Sequence, residues 1–136
     1  MRHERTRWLP AVLASALLLP VPACSSGAAG CEEAFTAVTT STPGVASAEF
    51  DCSDRFGGGW QRGDVVVEAT TEAEAVTVME AVLRAYAASP DIEDRWSTPQ
   101  EYRNEDGSVV VGPGDLGFNG PPNVRQVREH FRVTPG

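Results

Sequence analysis

The segment Thr71-Glu-Ala-Glu-Ala-Val-Thr-Val-Met-Glu-Ala-Val-Leu-Arg-Ala-Tyr-Ala-Ala88 has the clearest secondary-structure pattern in this chain. Thr71 and Glu74 have the spacing of a capping box at a helix start, and Ser89-Pro90 gives the helix an end. The apolar residues between these signals recur at helical spacing: Ala75, Val76, Met79, Val82, Leu83 and Tyr86. This pattern predicts an amphipathic helix whose apolar stripe packs on a core.

Two strands and a short helix are predicted before this segment. Residues 45–52 alternate, and the face predicted to point inward carries Ala46, Ala48, Phe50 and Cys52. A second strand over residues 61–69 places Val65, Val67 and Ala69 inward. Residues 31–40 form the helix, because Cys31, Phe35 and Val38 recur on one face, and Pro43-Gly44 follows it as a turn.

A hairpin and a last helix are predicted after it. Asp106-Gly107 lies between Tyr102 and the apolar run 109–111, which is a strong hairpin signal. The two prolines at 121 and 122 then open a helix, and its apolar face consists of Val124, Val127 and Phe131.

The element order is therefore αββαββα, which predicts an α+β fold. We expect a two-layer sandwich with about four strands in one sheet and helices packed on one face. The portion helix–Pro-Gly-Val–strand–strand–helix resembles ferredoxin-like modules such as heavy-metal-associated domains. That resemblance implies the layer architecture. It does not imply a metal site here, because this chain lacks their Cys-x-x-Cys motif.

The N-terminus has the layout of a secretory signal peptide. Arg2, Arg5 and Arg7 precede an apolar run over residues 8–23 that ends in Val21-Pro22-Ala23-Cys24. This ending resembles the lipobox of bacterial lipoproteins, which implies a diacylglycerol on Cys24 and cleavage before it. A plain signal peptidase would also cut after Ala23, so secretion without a lipid is the alternative. An uncleaved span is a third, but 16 residues broken by three prolines fall short of the roughly 20 needed to cross a membrane.

The cysteine count agrees with lipidation. The chain has three cysteines, at positions 24, 31 and 52, and an odd cysteine in a secreted chain needs an explanation. If the lipid takes Cys24, Cys31 and Cys52 remain as a pair, and the turn between the first helix and strand brings them together as a disulfide. We therefore expect a signal peptide at 1–23, a flexible tether at 24–30 and one domain at 31–136.

Net charge limits the partners that this domain can bind. Without residues 1–23 the chain keeps 8 Arg and 18 acidic residues, a formal charge of −10. Such a surface repels phosphate backbones, so we expect no nucleic-acid partner. All basic residues are Arg and none is Lys, which is typical of a GC-rich genome. Together with the lipobox, this resembles an actinobacterial type of lipoprotein.

Short motifs give no catalytic, cofactor or metal residues. Gly112, Gly114 and Gly117 match G-x-G-x-x-G, but no helix follows at the spacing that a dinucleotide site requires. His130 has no serine or acid at a spacing that would mark a catalytic set. The Asn104-Glu105-Asp106-Gly107 stretch is better explained as a hairpin turn than as a calcium loop.

Three loops carry the large apolar residues that we single out. If the second and third strands are parallel, residues 53–60, 89–98 and 112–120 return to the end of the domain where the tether enters. Long loops often carry function. These contain Phe56, Trp60, Trp96, Leu116 and Phe118. The side chains either seal the core or contact a partner or the lipid interface, where Trp is favoured.

The function that we expect is that of a non-enzymatic lipoprotein on the extracytoplasmic face of the cell membrane. Its partners are the membrane, through the lipid, and an envelope protein or small ligand. One alternative is a small secreted or envelope enzyme, in which His130 would share a cleft with a carboxylate and a hydroxyl. Another is an accessory subunit of an envelope assembly, for which an exposed apolar patch would be the sign.

Overall fold

The computed structural model of this chain describes residues 27–53 and 60–136. Seven elements follow the predicted order αββαββα, which confirms the α+β fold class. They are α1 (Ala28–Thr40), β1 (Val45–Ser53), β2 (Trp60–Val67), α2 (Glu72–Ala88), β3 (Tyr102–Arg103), β4 (Val110–Val111) and α3 (Val124–Phe131). A 3₁₀ helix at Pro113–Leu116 lies between β4 and α3.

The four strands form one mixed sheet in the order β1-β2-β3-β4. β1 and β2 are antiparallel over nearly their whole length, while β2 and β3 are parallel and pair only at Val65 and Val66. β3 and β4 form the predicted antiparallel hairpin. The parallel strands are direct neighbours joined through α2, whereas the split βαβ of ferredoxin-like modules has another strand between them. The resemblance to those modules therefore extends to the layers and not to the strand order.

Local signals predicted α2 well. The Thr71 hydroxyl accepts a hydrogen bond from the Glu74 amide at 3.2 Å, as a helix N-cap should. The Glu74 carboxylate reaches back to the amide of Thr70 rather than that of Thr71, so the capping box is displaced by one residue. The predicted stripe is buried, except that Val76 is only half-buried, and Ala87 joins it.

Helix α1 begins at Ala28, three residues earlier than predicted. Gly27, with φ of +79°, turns the chain into the helix, and its carbonyl accepts from the Cys31 amide at 3.1 Å. Residues 28–30, which we assigned to the tether, are therefore helical. Cys31 and Phe35 are buried as predicted, but Thr39 is buried in place of Val38 because its hydroxyl hydrogen-bonds the hydroxyl of Tyr86.

A bulge in β1 corrects one inward residue. Val45 pairs with Val67 and Ser47 with Val66, so Ala46 is an extra residue opposite β2. Ala46 is exposed instead of pointing inward, while Ala48 and Phe50 are half-buried and Cys52 is buried. In β2, Val65 and Val67 are buried as predicted, and Ala69 lies half-buried beyond the strand's end.

The core lies between the sheet and the helices. Helix α1 packs on β1 and α2, while α2 packs on β3, β4 and α3. The other side of the sheet exposes the charged residues Glu49, Asp51, Arg62 and Asp64. Within residues 27–53 and 60–136, none of the helices has the length and apolar character needed to span a membrane.

Candidate functional site

The predicted disulfide defines the end of the domain where the N-terminal segment enters. Cys31 and Cys52 are bonded, with their Cα atoms 6.2 Å apart and both residues buried. The bond joins the first turn of α1 to the end of β1. Glu32, next to Cys31, strengthens this link because its carboxylate accepts from the Cys52 amide at 3.2 Å.

The segment after α2 returns to this end, as predicted. Residues 90–96 face the first half of α1 across a groove of about 680 Å³ that is shared with Gly27, Gly30 and Ala34. The groove carries three acidic side chains and one basic side chain, namely Glu33, Asp91, Glu93 and Arg95. Glu93 and Arg95 form an exposed ion pair at 2.9 Å.

Trp96, one of the predicted contact residues, belongs mainly to the core. Only 8% of its surface is exposed, and its ring lies 5.8 Å from that of Phe35. Its backbone also takes part in the core, since its carbonyl accepts from the Val124 amide at 2.9 Å at the start of α3. This placement corresponds to the sealing role for Trp96, with a narrow exposed edge in the groove.

The remaining predicted contact residues are placed differently from one another. Leu116 and Phe118 are half-buried against the core. Phe56 lies outside the described residues, and of Trp60 the structure describes only its position at the start of β2. The structure therefore does not bring the five residues together as one described surface.

Phe118 instead belongs to an aromatic patch beside α3. We define this aromatic patch as Phe118, His130, Phe131 and Arg84. The His130 ring lies 4.2 Å from Phe118 and 4.8 Å from Phe131. The Arg84 guanidinium lies 4.3 Å above the Phe131 ring, at a distance suited to a cation–π contact. His130 is exposed and has aromatic neighbours, so its surroundings are those of a packing residue.

The glycine-rich string at residues 112–117 is a 3₁₀ turn. The Gly112 amide donates to the Asp115 carboxylate at 3.0 Å, and Gly117 closes the turn with φ of +91°. The turn does not continue into an α-helix, so it lacks the helix N-terminus on which a dinucleotide phosphate would bind.

The Asn104–Gly107 stretch is the hairpin turn that we predicted. Asp106 accepts from the amide and the hydroxyl of Ser108, and these hydrogen bonds lower the pKa of its carboxyl. Within the described residues, no group of three or more His, Cys, Asp or Glu side chains is arranged to hold a metal ion.

A second cleft lies where the sheet opens between β2 and the segment before β3. It has a volume of about 430 Å³ and is lined by residues 61–64, Gln100 and Glu101. Sequence reasoning missed this cleft. One signal was available, however: Pro99 has no amide hydrogen, so the segment before Tyr102 cannot form an uninterrupted ladder with β2.

Comparison of the chain with protein-family models, curated proteins and solved structures finds no significant match. The functional conclusion therefore depends on the residues and contacts described above.

Proposed function

We propose that this chain is a small lipid-anchored protein of the extracytoplasmic face of the cell membrane, and that it acts as a binding module. The observation that carries this proposal is the buried Cys31–Cys52 disulfide. Disulfides form and persist in oxidising compartments and are rare in the cytosol. The disulfide therefore supports the same compartment as the signal-like N-terminus.

The pairing of Cys31 with Cys52 also leaves Cys24 as the third cysteine of the chain. Cys24 is the residue that follows Val21-Pro22-Ala23, the lipobox-like sequence. An unpaired thiol in an oxidising compartment is reactive, and attachment of the diacylglycerol to the Cys24 sulfur removes it. Cysteine parity and the signal layout thus support lipidation independently of each other.

The early start of α1 determines how close a lipid on Cys24 would hold the domain to the membrane. Only residues 25–27 separate Cys24 from Ala28, and four residue steps span at most about 14 Å. A lipid on Cys24 would hold the disulfide end of the domain against the membrane surface. The acidic groove beside α1 would then face the headgroup region, while β3 and β4 would remain accessible to partners.

Replacement of Cys24 tests the anchor. We expect the full chain expressed in its own type of host to label with an alkyne analogue of palmitate and to sediment with membranes. Cys24→Ser should lose the label and enter the medium, or remain unprocessed. Ser25→Ala, one residue further on, is the matched control and should behave as the unsubstituted chain. Membrane association of Cys24→Ser at normal mature size would contradict the proposal.

Thiol labelling tests the compartment separately. In protein taken from the envelope under alkylating conditions, we expect neither Cys31 nor Cys52 to react with a maleimide until a reductant is added together with a denaturant. Two reactive thiols in the folded envelope protein would refute the oxidised state, whatever the result for Cys24.

A further inference from the structure

The cleft beside β2 is an opening in the sheet that the sequence of the neighbouring segment produces. β2 and β3 pair only at Val65 and Val66, so among the described residues no strand pairs with the first half of β2 on that side. Four residues of β2 line one wall of the cleft, and Gln100 and Glu101 line the other.

The segment before β3 contacts β2 at both ends of this opening and bows away between them. At one end, Ser97 accepts from the Gln61 amide through its hydroxyl at 3.1 Å. The next residue, Thr98, turns away from β2, because both its amide and its hydroxyl donate to the Pro122 carbonyl, at 3.0 and 2.8 Å. Pro99 follows and has no amide hydrogen to donate to β2.

The backbone of Gly63 faces the opening. The peptide groups of a strand point alternately to its two sides. The Gln61 amide points toward Ser97, and Val65 pairs with β3, so Gly63 between them points its N–H and C=O the same way. These two groups form one donor and one acceptor that point the same way, and they match a primary carboxamide, whose C=O and one N–H also lie side by side.

Gln61 adds an acceptor to this wall. Its Nε2 donates to the Ser97 carbonyl at 2.9 Å, but its Oε1 has no hydrogen-bond partner among the described residues. The residue is only 5% exposed. A buried, unpaired amide oxygen is costly. A ligand N–H in the cleft that Gln61 lines would recover that cost.

The rim of the cleft carries charges of both signs, with Arg62 and Asp64 on the β2 wall and Glu101 on the other. Asp64 is held by Arg103 in a two-point ion pair, with nitrogen–oxygen distances of 3.1 and 3.0 Å. Glu101 is exposed on the opposite wall. An ammonium group on a ligand would form a charge-assisted hydrogen bond with the Glu101 carboxylate.

From these contacts we infer that the cleft binds a small peptide-like ligand with an amide group and a cationic amino group. The amide pairs with the Gly63 backbone and Gln61, and the amino group pairs with Glu101. A volume of about 430 Å³ lies within the range of small-ligand sites. The inference rests on the proposed role as a binding module and names its ligand class, but it does not depend on the lipid anchor.

Titration with alanyl-alaninamide, which has a free amino group and no carboxylate, tests the inference. We expect saturable shifts of the Gly63 backbone amide and the Gln61 side-chain amide in NMR spectra of the protein from full-chain expression. For so small a ligand the Kd should be on the order of 1 mM. N-acetyl-alanyl-alaninamide, which lacks the charge, should bind roughly fivefold to tenfold more weakly.

Glu101→Gln should weaken alanyl-alaninamide binding by the same factor and should leave binding of the acetylated probe unchanged. The matched control is Glu105→Gln, an exposed carboxylate at the hairpin turn, which should change neither. Shifts that stay linear to about 20 mM, or equal losses in the two variants, would overturn the inference. A failed Cys24 experiment would leave these titrations unaffected, so the two proposals fail separately.

Discussion

The part of the domain before α2 and the part after it are held together by different interactions. Before α2, β1 and β2 form a long antiparallel ladder, and the Cys31–Cys52 disulfide fixes α1 to it. After α2, β3 and β4 are two residues each, and single backbone hydrogen bonds together with side-chain hydrogen bonds to the backbone take the place of a long ladder. Asn104 is an example. Its side-chain Nδ2 donates to the Ala69 carbonyl and to the Ser108 hydroxyl, and its Oδ1 accepts from the Val109 backbone amide.

This difference shows how a small sheet can tolerate very short strands. A ladder supplies hydrogen bonds repetitively, whereas each side-chain bond after α2 is a separate link. Loss of one such link should therefore affect a local segment, while loss of the disulfide should loosen the whole part before α2. The following predictions test this contrast.

Removal of the disulfide should have the largest effect. In the chain-entropy account, a bond that closes a loop of this length contributes about 3 kcal/mol, and loss of the buried sulfurs adds to that cost. We expect Cys31→Ala/Cys52→Ala to lose 3 to 5 kcal/mol (on the order of a native disulfide in a small domain) of unfolding free energy in urea.

Hydrogen exchange measures which part of the domain loses stability when the disulfide is removed. Amides of α1 and β1 should lose more protection than those of β4 and α3. An equal loss of protection throughout the domain would show that its two parts are not held separately.

Arg128 should have the next largest effect. Its guanidinium donates to the carbonyls of Ala87, Ser89 and Ile92 at 2.8 to 3.0 Å and also pairs with Asp94. Its side chain is only 11% exposed, so these bonds are well shielded. We expect Arg128→Met to cost about 2 to 3 kcal/mol of unfolding free energy, because carbonyls at the end of α2 lose a charged donor.

Arg125 provides the matched control for Arg128. It is exposed on the same helix, and Arg125→Met should change the unfolding free energy by no more than about 0.5 kcal/mol. Equal effects of the two variants would show that the arginine network does not hold segment 89–94.

The same contrast separates what the sequence predicted from what it did not. Thr71, the Asp106-Gly107 turn and the Cys31–Cys52 pair were predicted because each signal is local or depends on a simple return of the chain. Arg128 was not predicted, because its partners are backbone carbonyls 36 to 41 residues away and every residue has a carbonyl. Its position four residues after Val124 placed it beside the apolar face, which was the one available hint.

Three other failures have equally specific causes. The bulge at Ala46 was missed because alternation cannot reveal an extra residue whose neighbours are also small. The burial of Thr39 was not predicted, because a hydroxyl is buried only when it finds a partner, and its partner Tyr86 is 47 residues away. The cleft at Gly63 depends on the direction in which Thr98 turns, and that direction is held by contacts with residues 122–124, which are distant in the sequence.

High pH should weaken the domain in a way that its tyrosines report. The chain has two tyrosines, Tyr86 and Tyr102, and both are fully buried. Burial raises the pKa of both phenols above the usual value near 10. The unfolded chain therefore releases these protons first, so the contribution of the two phenols to stability is constant up to about pH 9 and falls as the pH rises toward the folded-state pKa values.

The expected loss at pH 10.5 is about 1.5 to 2 kcal/mol relative to pH 9 for the two phenols together. Phenolate absorbance should rise only with unfolding, as followed by circular dichroism in the same samples. Tyrosine ionisation in a fully folded protein near pH 10 would contradict the burial of both side chains.

The smallest effect concerns the difference between these two phenols. The Tyr86 hydroxyl is paired with Thr39, which links α2 to α1, whereas the Tyr102 hydroxyl in β3 has no hydrogen-bond partner among the described residues. Removal of an unpaired buried hydroxyl leaves no polar group unsatisfied, while removal of the Tyr86 hydroxyl takes one hydrogen bond from Thr39, which keeps its bond to the Phe35 carbonyl at 2.6 Å. We therefore expect Tyr102→Phe to be neutral or to stabilise the domain by up to about 1 kcal/mol, and Tyr86→Phe to destabilise it by about 1 to 2 kcal/mol.

Urea unfolding at pH 7 measures both changes on the same scale, and each variant should also reduce the alkaline loss of stability by about half, because one phenol remains. Since phenylalanine keeps the ring in place, cavity formation does not complicate the comparison. A Tyr102→Phe variant less stable than Tyr86→Phe would show that the Tyr102 hydroxyl has a partner in solution. The part of the domain after α2 would then contain one more side-chain link than its described contacts include.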